Sequence, residues 1–178
     1  MAVVIYFSKS GENLIDGKRK TTEIGNTKIL AEKIAKQVNC NMYEIQPLDA
    51  YPLDYEQTLQ RSKKELTNLI YPAILSGIDI SEESTIFLGF PNWWNDYPMP
   101  VGSFLKTTNL EGKKVYPFCT HEGSSFGISL EHLRKECPEA KIQPGLPIRG
   151  SHVERSDEAI RNWLCHYLCT RKNKSMNK

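Results

Sequence analysis

Short apolar segments alternate with longer amphipathic ones along this chain, and the alternation restricts its fold more than any other property. Residues 2–7 are apolar at every position, as expected of a strand that helices cover on both faces. Between Leu30 and Val38, apolar residues recur at helical spacing, with charged residues on the opposite face. Strands that alternate with helices favour right-handed crossovers and a parallel sheet between two helical layers.

The alternation predicts five strands in one domain. The predicted strands span residues 2–7, 41–45, 84–90, 114–119 and 141–148. The predicted helices span residues 30–38, 55–70 and 129–137, and two more begin near Pro98 and Ser156. Pro144 and Pro147 interrupt the last strand, and because proline cannot donate a ladder hydrogen bond, we expect that strand at a sheet edge. We expect the domain to cover residues 1–170, followed by a basic, disordered tail over residues 171–178.

Composition and charge exclude several classes of function. The 178 residues suit one domain, and a net charge of +2 is too small to indicate nucleic-acid binding. Residues 2–7 are too few for a membrane span or a signal-peptide core, so we expect a cytoplasmic protein that does not enter a membrane. The five cysteines include no Cys-x-x-Cys pair. We expect buried, reduced thiols and no metal site.

Unusual loops follow the first, third and fourth predicted strands. The first loop runs from Ser8 to Asn13 and returns as Gly25, Asn26 and Thr27 at the start of a helix. Small hydroxyl residues, glycines and a helix N-terminus suit a phosphate held by neutral donors. The spacing matches neither the P-loop nor the dinucleotide-binding glycine motif. An ordinary capped connection between strand and helix is the alternative.

The second and third loops add aromatic and polar groups. Residues 91–98 contain two of the chain's three tryptophans in a segment that should be exposed. Their rings either offer flat faces to a planar ligand or fold back over the sheet edge. Residues 120–127 combine glycines and hydroxyls with His121 and Glu122, although adjacent residues need not form an acid–base pair. A phosphate cradle, a flat wall and a polar clamp together predict a site for a heteroaromatic mononucleotide.

The segments around these loops resemble the flavodoxin family. The matching segments are Ile5-Tyr-Phe-Ser8, Gly25-Asn-Thr27 with Ala31, Leu88-Gly-Phe-Pro91 with Trp93 and Trp94, and Thr120-His-Glu-Gly-Ser124. The resemblance extends to about residue 168. It implies an α/β fold, a three-layer doubly wound sandwich with a five-stranded parallel sheet in the order 2-1-3-4-5. It also implies non-covalent FMN at the carboxyl ends of the strands.

By the same resemblance, three groups of residues would contact the cofactor. Ser8, Ser10, Asn26 and Thr27 would hold the phosphate. Pro91, Asn92, Trp93 and Trp94 would flank one face of the ring, with one of the two tryptophans stacking on it. Thr120, His121, Glu122, Gly123, Ser124 and Gly127 would bond the ring edge and cover its other side.

The chain departs from the family pattern in two respects. Residues 11–24 are inserted in the phosphate loop, and the basic residues 18–20 either approach the phosphate or form a solvated hairpin tip. The insertion leaves open whether Ser10, Asn13 or Asn26 touches the phosphate. In addition, the chain is slightly basic, whereas electron carriers of this family are strongly acidic.

The resemblance implies a redox protein, with three candidate roles. We expect an electron carrier that docks transiently to a reductase and to an acceptor protein. The alternative is an FMN-dependent enzyme that takes hydride from NAD(P)H and reduces a quinone or a nitro compound. The near-neutral charge favours that alternative, because carriers tend to use acidic docking faces. A flavin-binding regulatory protein without turnover is the third candidate.

Overall fold

The computed structural model describes residues 1–176, and the side chains of residues 1–165, 167 and 168. Six parallel strands form the central sheet: β1 (Ala2–Tyr6), β4 (Asn41–Glu44), β5 (Thr85–Pro91), β6 (Lys114–His121), β7 (Lys141–Ile142) and β8 (Leu146–Arg149). Their spatial order is β4-β1-β5-β6-β7, and β8 also pairs with β6. Strands β2 (Gly11–Ile15) and β3 (Lys18–Thr22) form a separate antiparallel hairpin.

Helices cover both faces of the sheet. They are α1 (Asn26–Val38), α2 (Tyr55–Thr67), α3 (Met99–Thr107), α4 (Ser129–Glu136) and α5 (Asp157–Met176), and a 3-10 helix spans Gly150–Arg155. Successive side chains of β1 point to opposite faces. Val3 and Ile5 pack in the core beneath α3 and α4, whereas Val4 and Tyr6 pack in the core beneath α1 and α5. This two-sided burial explains why β1 is apolar throughout.

The predicted fold class is confirmed, with a difference at the fifth strand. The predicted strand over residues 141–148 is two short strands, β7 and β8, both parallel to β6 at the edge of the sheet. The break contains Pro144 and Gly145, whereas Pro147 lies within β8. A Cβ at Gly145 would lie 2.5 Å from the Phe126 ring and 3.2 Å from the Pro117 carbonyl oxygen, so the chain passes too close to its neighbours there for a larger residue.

The cysteines differ in burial, and the side chains of the predicted tail lie outside the described residues. Cys119 and Cys137 are buried as predicted, but Cys40 is only half-buried and Cys165 is exposed on α5, and the side chain of Cys169 is outside the described residues. The side chains of the predicted basic tail, residues 171–178, are also outside the described residues, so the boundary between domain and tail stays a prediction.

In the described part of the chain, no helix is long and apolar enough to cross a membrane.

Candidate functional site

A cavity of about 190 Å³ lies beyond the carboxyl ends of β1, β5 and β6. The chain runs from β1 outward to β4 and then back to β5, so the strand order reverses beside this cavity, where ligands bind in open α/β sheets. Its lining is Ser8, Lys9, Asn13, Leu14, Asn26, Thr27, Tyr55, Pro91, Asn92, Trp93, Thr120, His121, Glu122, Ser124 and Gly150. All three predicted loops therefore contribute to one cavity.

The first loop forms a hydroxyl-lined corner at the N-terminus of α1. Ser8 Oγ accepts a hydrogen bond from the Lys28 backbone N–H at 3.1 Å, which ties the loop to the first turn of the helix. Thr27 Oγ1 lies 2.7 Å from Thr120 Oγ1, and both threonines are buried. A Cβ at Gly25 would overlap Ser8 Oγ, so glycine is required for this close approach. The corner offers hydroxyl and backbone N–H donors to an anion.

A second glycine, Gly150 after β8, also shapes the wall of the cavity. A Cβ at Gly150 would lie 2.5 Å from both Asn26 Nδ2 and Glu122 Oε1. The absence of a side chain at Gly150 therefore allows Asn26 and Glu122 to approach each other at the cavity wall. Gly150 follows β8 directly, at the same edge of the sheet as the three loops.

The second loop places its two tryptophans in different environments. Trp93 and Asp96 exchange backbone hydrogen bonds of 2.9 and 3.0 Å across a tight turn. Trp94 and Asn95, at the centre of that turn, have φ of 56° and 68°, as in turns of type I′. The turn directs Trp93 into the cavity lining. Trp94 instead lies against α2, where its Nε1–H donates to Ser62 Oγ at 3.0 Å.

Aromatic contacts of Trp93 and the carboxylate of Asp96 hold this turn in place. The Trp93 ring meets Phe7 and Tyr51 edge to face, with centroids 5.4 and 5.1 Å apart. The buried Asp96 carboxylate accepts the Tyr97 backbone N–H at 2.7 Å and lies 2.5 Å from His132 Nδ1. Burial raises the pKa of Asp96, although these two hydrogen bonds oppose the shift.

The third loop presents a histidine whose proton position follows from its hydrogen bond. The Gly123 backbone N–H donates to His121 Nδ1 at 3.0 Å, so the neutral imidazole carries its hydrogen on Nε2. Burial, and after it the charge of Arg149, lowers the pKa of His121. Asn92 joins the second loop to the third, because its side-chain amide donates to the Ser125 carbonyl at 2.7 Å.

The insertion at residues 11–24 is a hairpin that reaches across to the third loop. Asp16 and Gly17 form its turn with positive φ, and the Asp16 backbone N–H donates to Glu122 Oε2 at 2.8 Å. Arg149 Nε lies 3.6 Å from Asp16 Oδ1 and 3.9 Å from Glu122 Oε2. The basic residues 18–20 are exposed, but they lie in strand β3 and not at the hairpin tip, which Asp16 and Gly17 form.

Most of the predicted site residues line the cavity. These are Ser8, Asn26, Thr27, Pro91, Asn92, Trp93, Thr120, His121, Glu122 and Ser124. Four predicted residues lie outside the lining. Ser10 lines a neighbouring cavity of about 290 Å³, Trp94 lies on α2, and Gly123 orients His121. Gly127 has a φ of 54° and packs so closely on Asn95 that a Cβ would overlap its carbonyl oxygen.

Four lining residues were not predicted: Lys9, Leu14, Tyr55 and Gly150. Lys9 was within the predicted loop, and its Nζ donates to the Glu12 and Leu53 carbonyls at 3.0 and 3.3 Å. Burial lowers the pKa of Lys9. Tyr55 and Gly150 carry no local signal, because only the tertiary fold brings α2 and the end of β8 to this edge. Asn13, left open as a phosphate contact, also lines the cavity, and its side-chain amide donates to the Lys9 and Gly11 carbonyls and to Thr22 Oγ1.

A doubly wound parallel sheet with a hydroxyl-lined, aromatic-walled cavity at its switch point is typical of α/β proteins that bind a mononucleotide. The sequence model of flavodoxins matches residues 2–167, and the chain belongs to the flavodoxin family. The resemblance to flavodoxins that the sequence motifs indicated is therefore confirmed as family membership. That membership supports FMN as the cofactor.

Solved structures share this fold over nearly the whole chain. A candidate flavoprotein from Bacteroides eggerthii is 31% identical with a TM-score of 0.74, and the match covers 92% of this chain and 94% of that one. Another from Bacteroides uniformis is 29% identical with a TM-score of 0.74, covering 92% and 96%. A Lactobacillus acidophilus flavoprotein in complex with FMN is 21% identical with a TM-score of 0.65, covering 86% and 96%. No curated protein sequence matches the chain.

The donor set of the cavity suits a phosphorylated planar ring. Ser8, Asn26 and Thr27 offer neutral donors at the N-terminus of α1, and Trp93 offers an apolar ring surface. Glu122 is the one carboxylate in the lining, and a free carboxylate would repel a phosphate. Its charge is offset by the Asp16 N–H and by the Arg149 guanidinium, so it does not exclude an anion from the cavity.

Proposed function

We propose that this chain binds FMN non-covalently in the cavity and carries electrons between a reductase protein and an acceptor protein. The observation that supports this proposal is the convergence of a hydroxyl cradle, the Trp93 ring and the polar third loop on one cavity. FMN supplies the redox chemistry, and the chain supplies binding, orientation and electrostatics. A cytoplasmic location is part of the proposal.

In this proposal, different lining residues contact the phosphate, the face and the edge of FMN. Ser8, Asn26 and Thr27, at the N-terminus of α1, hold the phosphate. Trp93, whose side chain is held by edge-to-face contacts with Phe7 and Tyr51, covers a face of the flavin ring and excludes water from it. His121, neutral and with its hydrogen on Nε2, donates to an acceptor at the ring edge.

A reductase activity toward a quinone or a nitro compound, with NAD(P)H as hydride donor, is the second candidate. The observation that favours it is electrostatic. Lys18 and Lys20 are exposed on β3, which pairs with the strand that lines the cavity, and the net charge of the chain is +2. A basic surface beside the cavity attracts an anionic dinucleotide, whereas carriers tend to present acidic docking faces.

Two measurements on the purified protein test these functions. The visible spectrum, followed by titration of the apoprotein with FMN, tests cofactor binding; a colourless protein that does not bind excess FMN contradicts the proposal. The holoprotein is then mixed anaerobically with NADPH, before any quinone is added to accept the electrons. Flavin bleaching that requires an added ferredoxin reductase supports the carrier, and rapid bleaching by NADPH alone supports the enzyme.

A further inference from the structure

We propose that Tyr55, at the first turn of α2, forms a second aromatic wall of the ring site, and that the β2–β3 hairpin holds Tyr55 in position. This inference rests on the proposed binding of FMN. It gives a function to the insertion that distinguishes this chain from the usual family pattern, and it adds a cofactor contact that lies outside the three loops.

The hairpin is locked to the chain segment that leads into α2. The Glu12 backbone N–H donates to the Leu53 carbonyl at 2.7 Å. Gly11 has a φ of 87°, and a Cβ there would lie 2.6 Å from the same carbonyl oxygen. The Glu12 carboxylate in turn accepts the Tyr55 backbone N–H at 3.1 Å. Residues of β2 therefore fix the backbone of Tyr55 directly.

The second strand of the hairpin fixes the Tyr55 side chain. Arg19 Cζ lies over the Tyr55 ring, 4.9 Å from its centroid, which is within the range of a cation–π contact. Arg19 is itself held by Glu56, with Nη2 2.8 Å from Oε2. The guanidinium therefore packs on one face of the Tyr55 ring, and Tyr55 also belongs to the lining of the cavity.

Tyr55 gives the cavity lining an aromatic ring that the second tryptophan of the loop does not supply. Trp94 lies on α2, away from the cavity lining, with its Nε1–H bound to Ser62. Of the described lining residues, Trp93 and Tyr55 are the two that carry large aromatic rings. Stacking of a planar base on such a ring raises affinity by about tenfold. The site therefore has two aromatic contacts, one from the second loop and one from α2.

The test is titration of the apoprotein with FMN, followed by flavin fluorescence, in three variants. We expect Tyr55→Phe to bind within about twofold of the wild type, because the ring is kept. Tyr55→Leu should bind about tenfold more weakly and quench the flavin less. The matched control is Tyr43→Leu, which removes an exposed tyrosine of β4 outside the cavity and should leave the dissociation constant unchanged.

The positioning role of Arg19 has its own control. Arg19→Met should weaken FMN binding about two- to fivefold in the wild-type background and not at all in the Tyr55→Leu background. Lys18→Met removes the same charge from the same strand without touching Tyr55. If Lys18→Met weakens binding as much as Arg19→Met, the effect is general attraction of the phosphate, and the positioning role is wrong.

The outcomes separate this inference from the proposed function. A wild-type protein that does not bind FMN contradicts the proposed function and, with it, this inference. A wild-type protein that binds FMN, with Tyr55→Leu binding and quenching equally well, contradicts only the role of Tyr55. Circular dichroism of each apoprotein checks the fold. If Tyr55→Leu does not fold, the comparison of Arg19→Met with Lys18→Met decides.

Discussion

The two adjacent tryptophans make separate contributions, and substitution distinguishes them. We expect Trp93→Leu to weaken FMN binding about tenfold, because it removes the ring surface that lines the cavity. Trp94→Leu should change the dissociation constant by less than about twofold, since its ring lies on α2. FMN titration of the two apoproteins measures both effects. Equal weakening by the two variants would contradict the placement of Trp94.

The protonation of His121 responds both to burial and to the charge of a neighbouring arginine. Burial is the larger cause of its lowered pKa, and Arg149 is the smaller one. We therefore expect Arg149→Gln to raise the pKa of His121 without restoring its ordinary value. An NMR titration of the imidazole in the apoprotein measures the shift. Arg134→Gln, which removes an exposed charge from α4, is the control and should leave the pKa unchanged.

The lowered pKa of His121 also sets the sign of a pH effect on stability. The folded state binds this proton less readily than the unfolded state does. The resulting stabilisation is fully present above the unfolded pKa of about 6.5 and is lost as pH falls through the folded pKa. We expect the free energy of unfolding of His121→Asn, relative to the wild type, to rise as pH falls from about 7 to 5. Urea unfolding at several pH values measures this difference, and a constant difference would contradict it.

At the scale of elements, the hairpin tip depends on one carboxylate. Glu122 accepts the Asp16 backbone N–H at 2.8 Å, and removing that acceptor should free the tip. We expect Glu122→Ala to increase amide hydrogen exchange at Asp16 roughly three- to tenfold, as for the loss of one hydrogen bond. Glu56→Ala breaks an exposed ion pair at the other side of the hairpin and serves as the control. If both variants accelerate exchange at Asp16 equally, Glu122 does not anchor the tip.

The elements show what the sequence could and could not predict. The apolar run of β1 and the helical spacing of α1 predicted the layers correctly, because burial on two faces leaves a strong pattern. The sequence predicted the edge position of β7 and β8, because prolines favour an edge strand. It did not predict the division into two strands, because the contact between Gly145 and the Phe126 ring depends on tertiary packing. A hairpin was one of two alternatives for the insertion, and its turn lies at Asp16 and Gly17, which are typical turn residues, rather than at residues 18–20.

The part of the site that depends on the topology of the sheet could be predicted from the sequence. Loops that leave neighbouring parallel strands at one edge lie close together, and Ser8, Trp93 and Thr120 all line one cavity. Tyr55 could not be predicted, because its position depends on contacts with a hairpin 43 residues away in sequence at Glu12. The separation of Trp93 from Trp94 depends on a positive φ at Trp94, a conformation that tryptophan does not signal.

At the scale of the whole molecule, the charge distribution predicts which redox partner reacts fastest. Lys18 and Lys20 form an exposed basic strip beside the cavity. A strip of this kind accelerates encounter with an anionic partner at low salt, and the acceleration disappears as salt screens it. We expect the double variant Lys18→Glu, Lys20→Glu to slow flavin reduction by NADPH, or by an acidic reductase, about tenfold at low ionic strength. Stopped-flow bleaching of the holoprotein measures the rate.

Location, and not total charge, must account for that effect. The double variant Lys36→Glu, Lys114→Glu changes the net charge equally, but Lys36 lies near the C-terminal end of α1 and Lys114 at the amino end of β6, both remote from the cavity. It should leave the rate nearly unchanged. High salt should bring the first variant and the wild type to the same rate, because steering acts on encounter and not on the bound complex. Equal slowing by both variants would mean that net charge, and not the basic strip of the hairpin, selects the partner.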